Sequence, residues 1–181
     1  MIDSIKFHTH HNIAMWQSLS EDQIKKTIKL IKKFKGKKHE NISNTDWNVD
    51  SEDKREYMEY LWQDCLVPFR KAFMEVTKAN EIILHNYWYQ RYFKNDHPKW
   101  HTHPGAHFTC VLYLQNTLDN PTQIQGMTLD RDAFTEGNIL CFPAHIFHSF
   151  AKNKNVKESS TTRKTKKKRK QIKKKRRKTK K

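Results

Sequence analysis

Two histidines at positions i and i+2, set immediately before an apolar run, constrain this chain more than any other feature. The stretch Trp100-His101-Thr102-His103-Pro104-Gly105-Ala106-His107 leads directly into Phe108-Thr109-Cys110-Val111-Leu112-Tyr113-Leu114. On an extended chain such a pair leaves the same face about 6.6 Å apart. That is near enough for both imidazoles to hold one ion at roughly 2.1 Å. A second element, Gly137-Asn138-Ile139-Leu140-Cys141-Phe142-Pro143-Ala144-His145-Ile146-Phe147-His148, brings a third imidazole, His148, from a strand distant in sequence. The pattern predicts a metal site in a β-barrel, with His101, His103 and His148 as ligands. His107 is a further candidate, as a fourth ligand, as a donor behind the ligands or as a substrate contact.

Alternation along the strand sorts its residues. His107, Thr109, Val111 and Tyr113 share one face, and Phe108, Cys110, Leu112 and Leu114 share the other. If the first set lines the barrel interior, the second packs beneath helices. An interior holding His101, His103, His148, Thr109 and Tyr113 is polar enough to host a cation and a small anion, and costly to bury empty. A lone histidine such as His145 reads as an ordinary surface or core residue. His8, His10 and His11 cluster near the start with no accompanying ligand run, and no metal role is assigned to them.

Upstream, the periodicity is helical. Ser20-Glu21-Asp22-Gln23 is a capping-box signature, followed by Ile24, Ile28, Leu30, Ile31 and Phe34 at helical spacing and by Gly36 as a stop, so residues 21 to 35 form a helix. Its lysines, from Lys25 to Lys37, read as a solvated face opposite an apolar stripe. From Ser51 to Lys78 the set Tyr57, Met58, Tyr60, Leu61, Cys65, Leu66, Phe69, Phe73 and Val76 is again helical, split or kinked by Pro68. Beyond Asn80, short aromatic and β-branched runs predict strands at 82 to 84, 87 to 93, 108 to 114, 127 to 129, 138 to 142 and 147 to 151. Helices ahead of strands give an α+β domain, with the helices on one face of an antiparallel sheet or barrel. Residues 1 to 80 are its helical part, 81 to 155 the β core with the metal site, and 156 to 181 a basic tail.

The formal charge of +17 over 181 residues suggests a nucleic-acid ligand, but its distribution argues otherwise. Residues 163 to 181 hold 15 of the 36 Lys and Arg and no acid; the rest carries 21 − 19 = +2. The tail is too polar to bury apolar area and is expected to be disordered. It suits non-specific, salt-dependent phosphate contact or a localisation signal, or it stands as low-complexity sequence in place of a terminal strand. Without interleaved aromatics it offers no base stacking. Cys65, Cys110 and Cys141 are odd in number and lack close-paired spacing, so a disulfide framework is not expected and a reducing, cytoplasmic setting is favoured. No apolar stretch predicts a signal peptide or a membrane span.

The region from Trp88 to Asn153 resembles the double-stranded β-helix, a jelly-roll or cupin-like barrel, of the Fe(II)/2-oxoglutarate-dependent oxygenases. It is similar in particular to the small prolyl-4-hydroxylase-like oxygenases encoded by phages, in which a WHTHP-type segment precedes a strand ending in Tyr-Leu. The resemblance implies that His101, His103 and His148 bind Fe(II). Tyr113 would contact 2-oxoglutarate, and Tyr89 on the preceding strand would give a second contact. The family's basic partner for the far carboxylate lies roughly ten residues beyond the distal His; that position is Glu158 here, and the next arginine is Arg163. The implied activity is that of a dioxygenase: oxidative decarboxylation of 2-oxoglutarate to succinate and CO2, coupled to hydroxylation of a C–H bond, with a prolyl or other peptidyl substrate. Most of the wider superfamily has His-x-Asp where this chain has His-x-His, leaving three neutral imidazoles around a fully dipositive ion; imidazole suits iron, zinc, copper and nickel alike. The same segments resemble the two motifs of the cupins, with His107 at the usual Glu position. This leaves open a metal protein or dioxygenase that uses no 2-oxoglutarate. A third reading is an inactive barrel whose basic tail binds nucleic acid.

Overall fold

In the computed structural model, residues 6–8, 13–17, 19–40, 42–47, 55–93, 95–118 and 121–152 are described. The tail, with Glu158 and Arg163, lies outside them, as do His10 and His11. The architecture is mixed α+β, with small antiparallel sheets and no closed barrel among the described residues.

Helix α1, Glu21–Lys33, begins at the predicted capping box: the Ser20 hydroxyl accepts from the Gln23 amide, and the Gln23 side chain accepts from the Ser20 amide. Its acids sit in the first turn and Lys32 and Lys33 in the last, both complementing the helix dipole. The second helical region divides into α2 (Glu56–Tyr60), a π-helical turn (Leu61–Cys65) and α3 (Val67–Thr77). Pro68 explains the division. It lies in the first turn of α3 and has no N–H to continue the ladder from above. The chain widens instead, with the Leu66 amide donating five residues back to the Leu61 carbonyl (2.8 Å), and a new helix starts.

Four strands form the largest sheet, in the order β1 (Lys6–His8), β2 (Ile13–Gln17), β8 (Asn138–Pro143), β6 (Phe108–Leu112). A second sheet joins β3 (Lys37–His39), β4 (Ile42–Thr45) and β5 (Gln90–Arg91), and a third pairs β7 (Thr122–Ile124) with β9 (His148–Phe150). Of the predicted strands, those at 108 to 114, 138 to 142 and 147 to 151 are present. The run at 87 to 93 shrinks to two residues. Residues 82 to 84 are irregular, with Ile83 75% exposed, and 127 to 129 contribute only a single bridge from Met127 to Ile124.

The predicted alternation separates two cores. Leu112 and Leu114, with Ile139 and Cys141 of β8, pack under Ile24, Ile31, Tyr57, Leu61 and Phe69 of the helices. Val111 and Tyr113, with Leu140 and Phe142, face the other way and meet Ile124, Leu129, Phe134 and Ile146. Helices thus cover one face of the β6–β8 pair, as expected. Gly137 allows this pair to form: its φ is +90°, and a Cβ there would lie 2.6 Å from the Leu19 carbonyl oxygen.

One pairing corrects the sequence reading. Cys110 and Cys141, directly opposite in the β6–β8 register, are joined by a disulfide with Cα atoms 4.2 Å apart; Cys65 is free and buried. Two cysteines 31 residues apart carry no pairing signal in sequence, and strand register alone brings them together. No described helix is long and apolar enough to cross a membrane.

Candidate metal centre

The three predicted ligands converge. His101, His103 and His148 each present a ring nitrogen, and these atoms lie within 4.8 Å of one another. The backbone sets the meeting. His101 and His148 exchange both of their N–H···O bonds at 3.0 Å, fastening the segment before β6 to the start of β9. The Ser149 hydroxyl adds a 2.8 Å bond to the Pro98 carbonyl. His103 is anchored separately: its amide donates to the Ala144 carbonyl (2.9 Å), and the Ala144 amide donates to the His107 carbonyl (3.0 Å), continuing the β6–β8 ladder into the site.

Side-chain bonds then select the ring atoms that face inward. His101 Nδ1 donates to the Lys99 carbonyl (2.8 Å) and His148 Nδ1 to the Ile146 carbonyl (3.0 Å). With Nδ1 protonated, each neutral ring carries its lone pair on Nε2. A carbonyl behind a ligating histidine is the usual device that fixes tautomer and orientation. His103 Nε2 lies 3.2 Å from His148 Nε2. Two nitrogens bound to one ion at about 2.1 Å, at angles between octahedral and tetrahedral, sit about 3.0–3.4 Å apart. The pair therefore has ligating separation, and with His101 it forms a set of three imidazoles that could hold a dipositive ion.

The surroundings favour the neutral form of His103 and His148. His148 is buried; His101 and His103 are half-buried. Burial first, then the neighbouring His148 and His101, pushes the His103 imidazole down to about 4. Burial likewise lowers His148, against the opposing effect of its bond to Ile146. Phe142 packs edge-on against His148 at 4.8 Å between ring centres, and Trp88 lies 5.5 Å from His103.

The other candidates distribute differently. His107 is exposed and outside the triad, contributing only its backbone carbonyl. His145 is exposed, as a residue without a site role would be. Tyr113 is buried in the core that includes Phe142, its hydroxyl 2.6 Å from Thr122 Oγ1, and burial raises its phenol above the ordinary range. Tyr89 belongs to the helix-side core, where its hydroxyl donates to Asn44 Oδ1 (2.8 Å) beside Gly36. The structure brings Tyr89 to that network and not to the triad's ring contacts.

Some residues at the site gave no signal of their own in sequence. Trp88 bridges His103 to Trp47, whose ring stands perpendicular to it at 4.1 Å. Behind it, Asp46 is fully buried: its carboxylate accepts from the Tyr57 hydroxyl (2.5 Å) and the Tyr89 amide (2.8 Å) and pairs with Arg55 Nε (3.2 Å). Arg55 also donates to the Tyr87 carbonyl (2.8 Å), so residues 87 and 89 are pinned on either side of Trp88. Tyr92, stacked on Phe150 at 3.8 Å, extends the aromatic wall beyond β9. A comparison with protein-family models gives no match, and neither curated proteins nor solved structures give one.

Proposed function

We propose that this chain is an Fe(II)- and 2-oxoglutarate-dependent oxygenase, with a double-stranded β-helix as its core. The observation that carries the reading is the convergence of His101, His103 and His148 from two backbone-anchored segments, two of them with Nδ1 committed to a carbonyl. The arrangement of β6–β8 and β7–β9 about one apolar core, formed by Tyr113, Ile124, Leu140 and Phe142, supports a jelly-roll-like core.

When bound, Fe(II) with 2-oxoglutarate and O2 supplies an oxidant for C–H hydroxylation, and 2-oxoglutarate leaves as succinate and CO2. The chain's residues hold and shape that site. Three neutral imidazoles leave the ion's full charge to attract a dianion. Phe142 and Trp88 exclude water from two sides of the triad, which strengthens electrostatic contacts inside it. Tyr113 and Thr122 place hydroxyls in the core that Phe142 shares with them, and the raised Tyr113 phenol stays protonated as a hydrogen-bond donor. This reading assigns the remaining co-substrate contact to Arg163 and none to Tyr89, whose hydroxyl is engaged by Asn44 in the helix-side core; a peptidyl side chain is its substrate class.

The all-imidazole donor set favours a second reading, a cupin-type metal protein or dioxygenase without 2-oxoglutarate, because no carboxylate joins the triad among the described residues. Under either, contact of the basic tail with nucleic acid is a separate, salt-dependent property of residues 163 to 181.

The test is succinate formation from 2-oxoglutarate by anaerobically purified protein given Fe(II) and then O2. Turnover in the native chain, lost in His101→Ala and His148→Ala, is the expected result. Tight Fe(II) binding without succinate would sink the 2-oxoglutarate reading in favour of the cupin-type one.

A further inference from the structure

The disulfide occupies a position with consequences for the triad. Cys110 and Cys141 face each other in the middle of the ladder that runs from Leu112↔Ile139 to Phe108↔Pro143. That ladder continues through the Ala144–His107 bond to the bond that holds the His103 backbone. Beyond Ala144 the same chain turns to His148. The bond therefore ties together the two strands that deliver the two halves of the metal site.

Its two cysteines differ in exposure. Cys110 is exposed, whereas Cys141 is 1% exposed, in the core with Leu61, Cys65 and Ile139. An external thiolate therefore meets Cys110 first, the exposed residue of the pair. Attack at Cys110 Sγ forms a new S–S bond to the incoming thiol and breaks the Cys110–Cys141 bond. The electron pair departs on Cys141 Sγ, which takes up a proton, because an apolar pocket disfavours a thiolate. A second thiol then frees Cys110 and leaves as a disulfide with the first, so the protein pair gains two electrons and two thiols are oxidised.

We infer that Cys110 is a thiol-modification site for low-mass thiols, and that opening the Cys110–Cys141 bond there loosens the His101–His103–His148 site and weakens its hold on a divalent metal. The coupling rests on reading the triad as a metal site. By linkage it is reciprocal: metal held by the triad opposes opening of the disulfide by the same factor.

The test uses the full chain with glutathione and Co(II) as probes. Peptide mapping after metal-free incubation with glutathione is expected to find the adduct on Cys110. Co(II) is expected to lower the equilibrium yield of that adduct by on the order of tenfold, and Cys110→Ser/Cys141→Ala to bind Co(II) more weakly by a similar factor. The His148→Ala protein controls for Co(II)–thiol complexes in solution, and its adduct yield should not respond to Co(II). No adduct, or an adduct on Cys65 or Cys141, overturns the modification site. A yield indifferent to Co(II) in the native chain overturns the coupling, even if the double variant fails to fold. Undiminished Co(II) affinity in His148→Ala would instead strike at the triad as the metal site, a separate failure that leaves the Cys110 mapping to stand or fall alone.

Discussion

A metal held at this centre would need neutral imidazoles, and the surroundings of His103 enforce that form. Its pKa falls from the ordinary 6.5 to about 4, through burial first and the adjacent His148 and His101 next. The folded state then binds fewer protons than the unfolded chain between these two values, so stability is lower wherever the unfolded ring is protonated and the folded one is not. The contribution is fully present above pH 6.5, declines as pH falls through the window down to about 4, and levels off below it. Urea unfolding of the metal-free protein at pH 7.5, 5.5 and 4 should show that decline, and His103→Asn should show a shallower one. Equal slopes in the two proteins would mean that His103 is not held neutral by the fold. The convergence of His101, His103 and His148 was legible in sequence, because an i, i+2 pair before a strand leaves little freedom. Trp88 was not. Its place depends on Asp46 and Arg55, which are remote in sequence and read singly as ordinary surface charges.

At the level of elements, legibility follows the strength of the local pattern. Helix α1 carries its own start signal in Ser20 and Gln23, and β6 and β8 carry alternation strong enough to assign each face, Leu112 to the helices and Val111 away from them. Strand β3, Lys37–His39, has no apolar residue; β4 and a backbone bond pattern define it, and neither is visible locally. Ile82-Ile83-Leu84 errs in the opposite direction: it is β-like in composition, yet no neighbouring strand pairs with it among the described residues. Propensity without a partner does not make a strand. Gly137 shows how a single residue governs an element. Alanine there would adopt a left-handed conformation and drive a methyl toward the Leu19 carbonyl, so Gly137→Ala should cost about 2 kcal/mol or more. Chemical denaturation measures this, and metal affinity should fall with it because β8 leads into His148. A loss under about 0.5 kcal/mol, the range of an ordinary surface substitution, would show that the β2–β8 corner tolerates movement.

For the molecule as a whole, the triad joins segments fastened by a short set of hydrogen bonds, His101 with His148, His103 with Ala144 and Ser149 with Pro98. β9 pairs with the short β7 on one side and with a single bridging residue, His101, on the other. An ion shared by His101, His103 and His148 would therefore add a cross-link where the backbone provides few. A ligand that binds only the folded state stabilises it by mass action, about 2.7 kcal/mol at a hundredfold excess over Kd. For a chain of this length each kcal/mol raises Tm by about 2–4 °C, so saturating Fe(II) under anaerobic conditions, or Co(II) in air, should raise Tm by about 5–10 °C. Chelation should reverse the shift, and His148→Ala should show none. The same scan on a chain ending before residue 163 separates body from tail: because the tail supplies charge but no triad ligand, the shift should survive its removal. A shift that disappeared with the tail would place the metal on the basic segment and not between β9 and the His101–His103 turn. A native chain whose Tm ignored the ion at a hundredfold excess over the Kd measured independently would show that the ion binds the unfolded chain equally well, which a site assembled from residues 101, 103 and 148 does not permit.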